Sequence, residues 1–270
     1  MSGDSRDGDG ATATADAIFD GAVRVWQPRH GYRFATDALL LAEFAHSGLP
    51  PGAPARHAFD LGAGSGVVAL ALLAALPARA PAAARATAVE IDPALAALAR
   101  RSAADNGLAD RLEVRTADVR VLRDLPAGAA DLVVSNPPFF AAGRGARAPD
   151  PQRAAARHDL LLRPAEVAAA AAHLLCPGGR ACVVYAAARA SELRDALAAA
   201  GLSLHRERLL RPRAGAAPRL VLLEVHAAPA PAAVARDELV LHVRTGAPGG
   251  GMSFAPAVER FLRTGAPIVP

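Results

Sequence analysis

Lysine is missing from this chain, so all 30 of its basic side chains are arginine. With abundant alanine beside it, that bias looks like GC-rich codon usage, and a pI near 9.9 is weak testimony to a polyanionic partner. The formal net charge of +4 permits a nucleic acid partner without demanding one. Cysteine is nearly absent as well. Cys176 and Cys182 form no CxxC or Cys/His ligand spacing, which argues against a metal site, and both read as buried, inert thiols of a reducing compartment. Long hydrophobic runs are lacking too. The most apolar stretch, Val67 to Leu76, stops at Pro77 and is too short to span a bilayer, and the run Ala168–Ala172 reads as a helix. Met1 to Asp20 has no basic apolar start, so no signal peptide is expected and the location expected is cytoplasmic. What remains is 270 residues with a hydrophobic share of 52%, enough for one domain with additions.

The most informative positive feature is Asn136-Pro137-Pro138-Phe139, which ends the apolar run Asp131 to Ser135. An exocyclic amine on a base, or a side-chain amide nitrogen, is a poor nucleophile because its lone pair is delocalised. An Asn oxygen and a neighbouring backbone carbonyl can accept both N–H hydrogens and meet the developing positive charge with fixed dipoles. The two prolines rule out a helix, and Phe139 supplies a flat face for stacking. Read alone, the tetrapeptide is equally a strand followed by a proline turn.

Upstream, Asp60-Leu61-Gly62-Ala63-Gly64-Ser65-Gly66 follows the apolar segment His57 to Phe59 and opens the helical run at Val67. Strand, glycine turn and helix form the context of a nucleotide-binding loop, although an ordinary βα turn has the same look. A second strand, Ala86 to Val89, ends in Glu90, which could accept both hydroxyls of a ribose. A third, Leu112 to Arg115, leads to Asp118, which could accept from an adenine amino group. The fourth ends in Asn136. In an open α/β sheet, ligands bind at the carboxyl ends of the strands, so one crevice would hold a nucleoside-like cofactor and a planar substrate nitrogen.

On these residues the chain resembles the class I S-adenosylmethionine-dependent methyltransferases that act on amino groups, over roughly residues 15–265. Within that group it is most similar to the bacterial tRNA adenine-N6 methyltransferases that modify the adenosine beside the anticodon of a valine tRNA. The segments Gln27 to Leu41, Pro151 to His158 and Met252 to Phe261 carry this narrower likeness. Phe139 stands where many members have Tyr, which keeps stacking and loses a hydroxyl. The resemblance implies a Rossmann-like, seven-stranded α/β sheet, mostly parallel with a terminal antiparallel strand and with helices on both faces. Residues 1–15 are expected to be disordered. One methyltransferase domain is expected over 16–265, with extensions at 16–55 and 227–265. The candidate catalytic residues are Asn136, Pro137, Pro138 and Phe139. The candidate cofactor-binding residues are Asp37, Asp60, Gly62, Gly64, Gly66, Glu90, Asp118 and Asn136, with S-adenosylmethionine as cofactor and no metal.

Smaller signals fill in the rest. Ile18 to Trp26 alternates as a hairpin or edge strand. Thr36 or Asp37 caps a helix through Ala45, and Asp37 could close over the cofactor methionine. Asp92 caps a helix from Pro93 to Asn106. Further helices run from Pro164 to Leu175 and from Ala190 to Ala200, and Arg180 to Tyr185 is a fifth strand. Leu202–Leu210 and Arg219–Val225 could pair antiparallel. Pro77 to Arg85 reads as a surface loop. Trp26 and Tyr32 either stack bases or anchor the hairpin. His158 could contact phosphate or pair with Asp159. The tRNA footprint is expected on the basic loop 141–159, with Arg144, Arg147, Arg153 and Arg157, and on Arg24, Arg29 and Arg33 of the N-terminal segment.

The reaction expected is methyl transfer to the N6 amine of an adenine in tRNA. The alternatives are a protein glutamine N5-methyltransferase acting on release factors, an rRNA guanine-N2 methyltransferase, and a non-catalytic RNA-binding module on the same fold. Only 59 residues precede Asp60, too few for the helical N-terminal domain of the release-factor enzymes.

Overall fold

The computed structural model describes residues 13–30, 33–50, 54–74, 80–137, 162–244 and 251–268. Pro138, Phe139, loop 141–159, His158 and Tyr32 lie outside these residues.

The chain opens with a hairpin of β1 (Ala13–Ile18) and β2 (Val23–Pro28). Val23 and Val25 face the core while Arg24 faces out, as the alternation predicts. β1 begins inside the segment 1–15 expected to be disordered. Then follow α1 (Thr36–Ser47), β3 (Ala55–Leu61), α2 (Val67–Leu73), β4 (Ala83–Glu90), α3 (Pro93–Asp105), β5 (Leu112–Thr116) and β6 (Ala130–Ser135). The chain continues with α4 (Pro164–Leu174), β7 (Leu175–Ala186), α5 (Ala190–Ala199), β8 (Ser203–Arg211) and β9 (Leu220–His226). It ends with β10 (Ala235–Val240), a small hairpin of β11 (His242–Arg244) and β12 (Met252–Phe254), and α6 (Pro256–Thr264). Pro93, Pro164 and Pro256 each occupy a first-turn position, where the missing N–H costs nothing. Asp92 caps α3 by accepting from the amides of Ala94 and Leu95.

The central sheet has eight strands in the order β10-β8-β9-β7-β6-β3-β4-β5, one more than the seven expected. The extra strand is β10, which pairs parallel to β8 at the edge. β9 runs antiparallel to both β7 and β8, in the pairing expected of Leu202–Leu210 with Arg219–Val225. Strand order reverses between β3 and β6, so the carboxyl ends of these neighbours flank the switch point at which open α/β sheets bind ligands.

Side chains alternate across the sheet and divide the core in two. Leu132, Val134, Cys182 and Val184 pack with α1 and α2, while Val133, Ala181, Val183 and Leu223 pack with α4 and α5. Cys182 is buried, and burial pushes its thiol up. Cys176, also expected to be buried, is only half-buried, with its Sγ 3.8 Å from Asp131 Oδ1. The expected surface loop 77–85 is partly wrong as well. Ala83 to Arg85 belong to β4, and Ala82 and Ala83 are buried. No helix of the described residues is long and apolar enough to cross a membrane.

Arginines on the sheet fix α1. Arg180 Nη2 donates to the Ala45 carbonyl and Arg206 Nη2 to that of Phe44, which caps the carbonyl end of the helix. Arg180 and Arg206 share Glu224, and Arg208 bridges Glu43 at 3.1 Å and Asp237 at 2.7 Å. The other end of α1 carries Asp37.

Candidate active site

The turn after β3 lies against β4. Gly62 and Ala63 both donate their amides to the Val89 carbonyl, at 2.9 and 3.1 Å. Gly64 and Gly66 have φ of 57° and 81°, where side chains are strained, and a Cβ on Gly66 would meet the Ala99 Cβ of α3 at 3.1 Å. Gly66 is the N-cap of α2 and has no side chain to offer. Asp60 takes that task from within β3, its Oδ2 accepting from the Ala69 amide at 3.1 Å. Asp60 is buried, and desolvation, reinforced by the nearby Glu90, raises its carboxyl from 3.8 to about 7.

Glu90, at the tip of β4, is buried with both oxygens engaged. Oε2 accepts from the Gly64 amide at 2.7 Å and Oε1 from the Asp92 amide at 2.8 Å. This carboxylate staples the glycine turn to the neighbouring strand, a role that strand-tip position alone did not reveal. Each oxygen keeps a second lone pair for a ligand hydroxyl. Burial raises its pKa against the two amide bonds. Asp118, beyond β5, faces a cation of its own chain. Arg120 reaches it with Nε and Nη2 at 2.7–2.9 Å and also donates its backbone amide. That pairing holds the Asp118 carboxyl below its ordinary value. An adenine amino group would share Asp118 with this guanidinium.

Asn136 is half-buried at the end of β6, and Pro137 behind it is buried. The preceding Ser135 is buried and donates its hydroxyl to the Leu61 carbonyl at 2.9 Å, which ties the tips of β6 and β3 together. Asp37 and Asn136, far apart in sequence, are joined by a side-chain hydrogen bond. Asp37 does not cap α1. The N-cap is Ala35, and Asp37 sits in the first turn with Oδ1 accepting from the Ala38 amide at 2.8 Å. Desolvation raises the Asp37 carboxyl, opposed by the bonds from Ala38 and Asn136. The glycine turn, Glu90, Asp118, Asn136 and Asp37 therefore lie at the carboxyl ends of β3, β4, β5 and β6 or against them. No group of three or more possible metal ligands occurs among the described residues.

In the N-terminal segment one expectation changes, that of Arg33, and of the two readings of Trp26 the anchor holds. Arg33 is held inside the hairpin, donating to Thr14 Oγ1, the Pro28 carbonyl and Asp16, and Asp16 also takes Gln27. Trp26 anchors the hairpin to α3. Its amide donates to Ser102 Oγ and its indole N–H to Asp105, with the Arg101 guanidinium 3.4 Å from the ring centroid. Arg24 keeps an exposed side chain, with Asp105 3.9 Å away.

A doubly wound sheet with a glycine turn, two strand-tip acids and an Asn-Pro corner at its switch point has the architecture of a class I methyltransferase. A solved structure described as a predicted O-methyltransferase, from Agrobacterium tumefaciens, shares the fold with a TM-score of 0.58, at 24% identity, over 84% of this chain and 96% of that one. Residues 35–199 match the methyltransferase small domain family, and the chain belongs to it. Similar proteins include the tRNA1(Val) (adenine(37)-N6)-methyltransferase of Porphyromonas gingivalis, 34% identical over 79% of this chain and 83% of that one. The enzyme of that name from Aeromonas hydrophila is 38% identical over 61% of this chain and 64% of that one.

Proposed function

We propose that this chain is an S-adenosylmethionine-dependent methyltransferase whose acceptor is the exocyclic N6 amine of an adenine in tRNA. The observation that carries this reading is the Asn136–Pro137 corner, set at the switch point beside the acid-lined tips of β3 and β4. The names of the Porphyromonas and Aeromonas relatives support the choice of acceptor.

The donor set suits the cofactor. Burial raises the carboxyls of Asp37 and Glu90 above their ordinary values, and a ligand bearing a sulfonium and an ammonium sets positive charge against them. Its ribose and adenine offer donors to acids. Glu90 would take the ribose through its free lone pairs, the turn Gly62–Gly66 would lie along the ligand, and Asp118 would take the adenine amine. When bound, S-adenosylmethionine supplies a methyl group on a positively charged sulfur.

The chain's own residues prepare the acceptor. The Asn136 amide nitrogen donates to Asp37, and the amide oxygen is left to accept. That oxygen and the Pro137 carbonyl accept the two N–H hydrogens of the substrate amine. The lone pair is then directed out of the base plane, and charge forming on nitrogen meets two dipoles already in place. Phe139 would stack the base. As the N–C bond forms and the S–C bond breaks, the amine gives up one proton to solvent. The adenine must leave its stack to enter, so an RNA loop is the fitting substrate context. The footprint assigned to loop 141–159 keeps Arg24 and Arg29 and loses Arg33.

Tritiated methyl transfer onto unmodified total tRNA, followed by nucleoside analysis, tests the proposal. Label in N6-methyladenosine is expected. No label in tRNA, with label instead in N2-methylguanosine of rRNA or in a glutamine of a release factor offered in parallel reactions, would replace it with one of the alternative readings.

A further inference from the structure

The carboxyl rim of the sheet continues past Asn136, and its far corner carries charge that the fold does not use. From β6 the rim runs through β7 and β9 to β8 and β10, because β8 and β10 end on the same side as β3, β6 and β7. The turn between β8 and β9 contains Arg213 and Arg219, and β11 carries Arg244. The backbone joins these segments. Leu241 and His242 donate their amides to the carbonyls of Arg211 and Pro212, and Ala187, just past β7, donates to that of Arg219.

Most arginines on this protein already have partners. Along the rim itself, Arg189 is paired with Glu192 at 2.6 Å and Arg211 with Glu238 at 2.7 Å, so both are neutralised. Arg213, Arg219 and Arg244 are exposed, and none has an acid or carbonyl on its guanidinium among the described residues. They concentrate three uncompensated charges at one corner of a chain whose formal net charge is +4. The same hairpin holds both exposed large hydrophobic side chains of the described residues, Val243 at 38% and Met252 at 50%. Met252 is the cross-strand partner of Arg244, two positions on from the stacked His242–Phe254 pair.

We infer that this corner is a phosphate-binding face for the RNA strand that delivers the target base, and this rests on the tRNA reading of the site. The separation fits. β8 lies three strand spacings from β6, or about 14 Å at ~4.8 Å each. A stacked strand rising ~3.4 Å per nucleotide covers that in about four nucleotides. A base held at Asn136 therefore places the phosphates a few residues along the same strand over Arg213, Arg219 and Arg244. Val243 and Met252 then meet ribose or base edges beside them. A polyanion accounts for both properties of the corner, guanidinium groups without an acid or carbonyl partner among the described residues, and their position on the catalytic rim.

The test uses the full chain, a triple variant Arg213→Ala, Arg219→Ala, Arg244→Ala, and the corresponding triple Lys variant. Binding of unmodified tRNA is measured across a salt series, alongside thermal midpoint and cofactor affinity. Three lost phosphate contacts should reduce the log K against log salt slope by about 2 to 3, and raise Kd about tenfold or more at 0.15 M salt. The Lys variant should keep most of the slope, and neither variant should shift the midpoint or cofactor affinity. A triple Ala variant with the wild-type slope overturns the inference, as does a wild-type chain that binds no RNA. A wild-type chain that binds tRNA with the full slope, loses it in the Ala variant and transfers no methyl to adenine supports this face and sinks the tRNA N6 reading alone.

Discussion

Replacing Glu90 with Ala should destabilise the empty protein as well as weaken its cofactor. The carboxylate holds two backbone amides, Gly64 at 2.7 Å and Asp92 at 2.8 Å, and is itself buried. Hydrogen bonds to a charged acceptor contribute about 1.5–3 kcal/mol each, so two amount to roughly 3–6 kcal/mol before desolvation is set against them. Burial of the charge offsets these bonds, and the raised pKa shows desolvation to be the larger cause; the Ala variant, however, leaves both amides without an acceptor, at about 1–3 kcal/mol each. A net loss of about 2–4 kcal/mol remains. For a domain of this size, that lowers the melting midpoint by roughly 4–7 °C. Glu90→Gln should fall between wild type and Ala, because one of the two amides then faces an NH2 group. Calorimetry should add a loss of about 1.5–3 kcal/mol in S-adenosylmethionine binding for Glu90→Ala. Thermal melting without cofactor decides the point. A Glu90→Ala protein that melts within about 1 °C of wild type, on the order of 0.5 kcal/mol, would refute the stapling role even if its cofactor affinity had collapsed.

Asp37→Ala should lower kcat by about tenfold, because the Asn136 amide loses the contact that sets its orientation, and should also weaken cofactor binding, because Asp37 is assigned to the cofactor methionine; unchanged kcat and unchanged cofactor affinity would remove Asp37 from the site. Asp60, raised to about 7 from 3.8, binds a proton more tightly folded than unfolded, so its contribution to stability falls as pH rises between about 4 and 7. At ~1.4 kcal/mol per pKa unit that decline is at most about 4 kcal/mol. Denaturant titrations of Asp60→Asn should show a flatter pH dependence, and an identical profile would contradict the assignment. Arg33→Ala should lower the melting midpoint by a few degrees, as a half-exposed pair worth about 1 kcal/mol or less allows. It should leave the salt dependence of RNA binding alone, and a shallower slope would return Arg33 to the RNA footprint.

Strand tips were legible because their signals are local. Apolar runs ending in Glu90 and Asn136, and a glycine cluster before Val67, each mark a place where the backbone must turn at the edge of a sheet. Asp92 was readable as a cap because the proline after it sets the first helical turn. The contacts that complete the site are long-range and carry no local mark. Asp37 meeting Asn136 and Ser135 reaching Leu61 both depend on the strand order. Arg33 misled because a cation in a Gly-Tyr-Arg-Phe segment looks the same whether it faces phosphate or, as here, Asp16. The eighth strand was missed because Ala235–Val240 carries three charged residues in six and lies half-exposed at an edge, where packing imposes little pattern.

Methyl transfer by Asn136→Ala tests the central claim most directly. The amide oxygen is assigned to the reacting amine, while the acids assigned to the cofactor stand on other strand tips. The variant should bind S-adenosylmethionine within a few-fold of wild type. It should methylate tRNA about 10²–10³-fold more slowly, the usual scale for losing one preorganised polar contact to a reacting group. Full turnover with N6-methyladenosine as product would show that the Asn-Pro corner is only a turn.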